Sequence, residues 1–101
     1  MTRQVLTDAE GGFRSTAVRS VGYDDATMVL EVEFHPTKKD ATRSAIWWYA
    51  PVSRATFDEI VNPENSAGAV FHASIRMNRS VVGEFKGWHD VESGLPIGMP
   101  A

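Results

Sequence analysis

The residues best suited to chemistry in this chain are three consecutive aromatics, Trp47-Trp48-Tyr49, with basic groups on either side of them. Every nucleobase has a π face, so exposed indole or phenol rings can stack bases, each stacked base being worth on the order of 1–3 kcal/mol. The plainer alternative is packing, with one face of the segment in a core and the other against a second subunit. Ser66-Ala67-Gly68 reads as a helix start, where free backbone N–H groups and the positive dipole end can hold an anion. An ordinary N-cap followed by a small residue for close packing explains the same three residues. Farther along that helix His72, Arg76 and Arg79 share one line, and Lys38, Lys39 and Arg43 form a basic loop. Either group could meet phosphates or simply keep a surface hydrated.

Catalytic and metal-binding patterns are missing from the sequence. It has no nucleophile elbow, no phosphate-cradling glycine loop and no carboxylate pair at informative spacing. Ser66 and His72 are six residues apart on one helix and would face different sides. The three histidines fall on different elements, and His89-Asp90 lacks the helical His spacing of a metal motif. No catalysis, no cofactor and no metal are expected. The candidate ligand-binding residues are Trp47, Tyr49, Ser66, Gly68, His72 and Arg76.

The elements that must position these groups follow from periodicity. Met28, Leu30, Val32 and Phe34 alternate with Val29, Glu31, Glu33 and His35, which predicts a half-buried strand. Before it, Ser15 to Tyr23 is a first strand that stops at the turn-forming Asp24-Asp25. Pro36 ends the second strand, a polar loop follows, and Ala45 to Ala50 forms a third strand that is apolar on both faces. Either Ile46 and Trp48 or Trp47 and Tyr49 can be the buried set; the other set needs a partner, which predicts self-association.

Ser53 caps a helix with Phe57, Ile60 and Val61 inward and Asn62-Pro63 as its stop. Asn65 or Ser66 caps a second helix that buries Val70, Phe71, Ser74 and Ile75. From Val81 to Trp88, Val82, Glu84, Lys86 and Trp88 alternate with Val81, Gly83, Phe85 and Gly87, compatible with a fourth strand. The expected fold is α+β: a three-stranded antiparallel meander followed by two short helices, with room for a fourth C-terminal strand. Residues 1–14 are expected to be a flexible lead-in, 15–79 the domain, and 80–101 an extension ending in an extended or disordered tail.

At 101 residues the chain has material for one core, and 43% hydrophobic with 23% charged residues is an ordinary globular balance. A net charge of -3 argues against a generic duplex-DNA binder, which needs clustered, uncompensated Lys and Arg. No cysteine occurs, and neither a signal peptide nor a membrane-spanning run is visible. A cytoplasmic protein with no membrane partner is expected.

Taken in order, Val18-x-x-Val21-Gly22-Tyr23-Asp24, the aromatic segment with Pro51-Val52 after it, Ser66-x-Gly68 and Ile75-Arg76 resemble the KTSC domain family over about Val18 to Arg76. Most members carry Tyr-x-Tyr where Trp47 begins the motif here, and Val-Pro where this chain has Val52-Ser53. The family takes its name from a domain appended to some lysyl-tRNA synthetases, and that association suggests RNA binding. The resemblance and the residues together predict a non-catalytic binding module, a homo-oligomer that takes a nucleotide or short RNA through aromatics and basic groups. Such a protein would suit a phage accessory role, sequestering a nucleotide signal of the host. The alternative is an adaptor whose aromatic sheet face is covered by a protein partner.

Overall fold

The computed structural model describes residues 2–97. Five strands form one antiparallel sheet in chain order: β1 (Gln4–Val5), β2 (Val18–Asp24), β3 (Val29–Phe34), β4 (Arg43–Ala50) and β5 (Val82–Asp90). Between β4 and β5 lie helix α1 (Arg54–Val61) and helix α2 (Ala67–Phe71), which runs on into one π-type turn over His72–Arg76. The expected α+β meander is present, and the alternating segment after Val81 is the strand that pairs with β4.

Local chemistry sets the boundaries. Asp24 Oδ1 accepts from the Ala26 amide at 2.9 Å, closing the turn between β2 and β3. Ser53 accepts from the Thr56 amide at 3.2 Å and starts α1. At the other end of α1 the Arg14 guanidinium donates to the carbonyls of Val61, Asn62 and Asn65, at 3.2, 2.6 and 2.9 Å, satisfying acceptors that a helix C-terminus leaves free.

Register decides which side of the sheet the helices cover. Leu30 sits opposite Tyr49 and Val32 opposite Trp47, so these four side chains share one face. That face carries Val18, Val21, Leu30 and Val32 against Ile60, Ala67, Phe71 and Ile75 of the helical layer. The helices therefore cover the Trp47/Tyr49 side of β4, leaving Ile46 and Trp48 on the other.

The far face has its own cover, and it is polar. Arg3 reaches across from the start of the chain, with Nη1 2.7 Å from Glu31 Oε1 and Nε 3.1 Å from Ser20 Oγ. Ser20 in turn donates to Glu33 Oε1 at 2.6 Å, and Arg19 Nε lies 3.6 Å from the same carboxylate. Ile46 is only 1% exposed in this single chain. The two-sided apolar strand thus finds both covers within its own chain, which removes that reason for expecting a second subunit.

The start of the chain departs from the expected flexible lead-in. Gln4 pairs with Val21 and Val5 with Ser20, while Leu6 is buried in the core. A two-residue strand has no visible period, and what holds it is Arg3 and Leu6, whose partners lie far along the chain.

Candidate functional site

Helix α2 is short, and its last residue, Phe71, packs edge-on against Phe34 and Tyr49, with ring centroids 5.7 and 5.3 Å apart. Phe34 and Tyr49 also face the part of the sheet where β5 supplies Trp88. A cavity of about 290 Å³ opens there. Its walls are the rings of Phe34, Trp47, Tyr49 and Trp88, its rim includes His35, Pro36 and Thr37, and two guanidinium groups, those of Arg43 and Arg76, line it as well.

Trp47 and Tyr49 lie on one face of β4 two residues apart, with centroids 6.2 Å apart and planes 19° from parallel. Trp88 reaches the same face through a bulge. Ile46 pairs with Gly87 but Trp47 pairs with Phe85, so Lys86 is an extra residue that shifts the alternation by one. Gly87 takes the positive φ of 111° that this kink requires. Trp88 therefore stands beside Phe85, at 5.6 Å, and not with Val82, Glu84 and Lys86 as strict alternation predicts.

The charge at the cavity is positive. The Arg43 guanidinium stacks 4.0 Å above the Trp88 ring and pairs with Asp40 Oδ2 at 3.0 Å. Arg76 lies over Phe34 and Phe71, at 5.6 and 5.4 Å, and has no carboxylate partner among the described residues. No carboxylate lines the cavity. Burial pushes the Tyr49 phenol above its ordinary range and the nearby Arg76 charge pulls it part of the way back. It stays protonated at neutral pH and can donate a hydrogen bond. His35 is less free, since its Nε2–H donates to the Ser15 carbonyl at 2.9 Å.

The structure brings together three of the six residues chosen from sequence: Trp47, Tyr49 and Arg76. Ser66, Gly68 and His72 lie outside the cavity. Ser66 Oγ accepts from the Ala69 amide of its own helix at 3.2 Å, and a Cβ on Gly68 would come within 3.1 Å of Ser15 Oγ, so capping and close packing occupy both. His72 is exposed.

The line His72-Arg76-Arg79 is cut short at Arg76. The Met77 amide bonds to the His72 carbonyl at 3.0 Å, five residues back, which closes a π-type turn, and Arg76 lies against the Phe34 and Phe71 rings. The helical run ends at Arg76, leaving Arg79 beyond it. The six chosen residues leave out Phe34 and Trp88, and also Arg43, which the sequence offered only as part of a basic loop. The glycine inside the β5 pattern was the available signal for Trp88, because an isolated strand glycine often marks a bulge.

Among the described residues no three His, Asp or Glu side chains gather as metal ligands, and no helix is long and apolar enough to cross a membrane. A family model, that of the KTSC domain, matches residues 14–78. No curated protein matches the chain. The matched region contains Phe34, Arg43, Trp47, Tyr49 and Arg76, whereas Trp88 comes from the strand that follows it.

Proposed function

The chain belongs to the KTSC domain family, and we propose that this member is a non-catalytic binding module that holds a nucleotide, or one nucleotide of a short RNA, in the aromatic cavity. The observation that carries this reading is the pair of guanidinium groups on an aromatic cavity that no carboxylate lines. A planar ring satisfies the indole faces of Trp47 and Trp88, and a phosphate satisfies the charge of Arg76, with Arg43 able to exchange its exposed Asp40 partner for the same ligand.

At about 290 Å³ the space suits one nucleotide better than a folded RNA. A short RNA would enter by a single splayed base. Holding a nucleotide without altering it fits a sequestering role, such as a phage accessory protein acting on a host nucleotide signal. Self-association belongs to the same reading, since a second copy would bring a second cavity into one assembly.

The ultraviolet absorbance ratio of the purified protein is the first test, followed by titration with nucleoside monophosphates and a short single-stranded RNA. Tryptophan fluorescence should quench on binding, and Arg76→Ala should weaken binding about tenfold or more through loss of a charge-assisted contact. No quenching by any of these ligands would remove the nucleotide reading. The adaptor alternative, favoured by Phe85 at 44% exposure beside the aromatic cluster, would then stand in its place.

A further inference from the structure

We infer that the outer edge of β5 pairs with the same edge of a second copy in an antiparallel two-fold ladder centred on Phe85. The inference specifies the self-association named above and is independent of what the cavity binds. It starts from an edge strand that exposes apolar side chains: Val82 is 71% and Phe85 44% exposed. Such an edge presents unpaired N–H and C=O groups to any extended partner.

The register follows from where that edge is already occupied. The Asp90 amide donates to the Leu95 carbonyl and the Ile97 amide to the Trp88 carbonyl, both at 2.9 Å. The tail therefore covers β5 from Trp88 onward, and among the described residues nothing pairs outside Gly83–Gly87. A symmetric ladder confined to those five residues places Phe85 opposite its own copy, Glu84 opposite Lys86, and Lys86 opposite Glu84. Centring on Glu84 or Lys86 instead sets like charges face to face, which is destabilising.

Both faces of such a ladder are complementary. Glu84 lies opposite Trp48 on the far face, and Lys86 sits over the Trp48 ring at 4.3 Å. The four charges would alternate there. On the helix-bearing face each Phe85, 5.6 Å from its own Trp47, meets the other Phe85 between flanking glycines. The aromatic clusters of the two chains become continuous, and the two cavities lie side by side.

The test uses the full chain without nucleotide. Sedimentation at tens of micromolar should give twice the mass of one chain. Since the chain has no cysteine, Phe85→Cys introduces a single thiol, and directly opposed residues lie within the Cα range a disulfide spans. Mild oxidation with glutathione disulfide should link this variant into a covalent dimer, whereas Met77→Cys should stay monomeric on denaturing gels. Glu84→Lys should raise the dimer dissociation constant about tenfold or more, and adding Lys86→Glu should restore it. A monomeric wild type would overturn the inference. So would a dimer that Phe85→Cys fails to trap or that is indifferent to the charge reversal.

Discussion

Trp47 and Trp48 are neighbours with opposite surroundings, because successive strand residues point to opposite faces. Trp47 lines the cavity with Tyr49, while Trp48 stands opposite Glu31 on the far face under Lys86. Trp47→Ala should weaken nucleotide binding by roughly 5- to 150-fold, the equivalent of one lost base stack, and leave most of the fold's stability in place. Trp48→Ala should do the reverse. It should cost roughly 2–3 kcal/mol, below the full core value for a tryptophan because the ring is only half-buried, with ligand affinity unchanged. Thermal melting beside fluorescence titration separates the two. Loss of binding in the Trp48 variant at temperatures where it remains folded would contradict the assignment of the site to one face.

Among the elements, β3, β4, both caps and the stop of α1 at Asn62-Pro63 are legible in the sequence because each is set by neighbours a few residues away. Three features are not. Strand β1 is two residues long and depends on Arg3 meeting Glu31; the β5 bulge turns on one inserted residue, Lys86; and the π-type turn leaves no mark in the spacing of His72 and Arg76. Two of the chosen site residues lie outside the cavity for a related reason: Ser66 and Gly68 were read by what a helix start offers, and here Ser66 caps its own helix while Gly68 packs closely on Ser15. Arg3 also ties the two ends of the sheet together, since its Nη2 donates to His89 Nδ1 at 3.1 Å. Arg3→Ala should cost roughly 2–4 kcal/mol in a denaturant melt by leaving two largely buried carboxylates poorly paired. His89 itself must be neutral to accept that bond. Burial, and then the Arg3 charge, lower its pKa below 6.5, while Glu31 and Glu33 oppose the shift. The unfolded chain therefore binds the proton first as pH falls, and stability declines from about pH 7 downward until the folded-state value is passed. Denaturant melts of wild type and His89→Gln at about pH 7.5 and about pH 5 should show a smaller decline in the variant. Equal declines would mean that other groups set the acid sensitivity.

At the scale of the whole molecule, a net charge of -3 coexists with a positive cavity because the charges are segregated. Glu31 and Glu33 are neutralised by Arg3 and Arg19 on the far face. Asp25 and Asp58 flank Arg54 near the start of α1. The loop that carries Lys38 and Lys39 leads into Arg43 at the cavity, with Arg76 also at its wall. A few kT of local positive potential is enough to guide a small anion into a cleft. It is too little for a polyanion, which must lay many phosphates along a basic surface and gains its affinity by releasing counterions from each. Long duplex DNA should therefore bind poorly at physiological salt, whereas a nucleotide touching one or two arginines should bind with a shallow salt dependence. Titration of both ligands across a salt series measures the difference directly. Tight duplex binding with a steep slope would require a continuous basic track, and the acidic flank around Asp25 and Asp58 would then have to lie outside it.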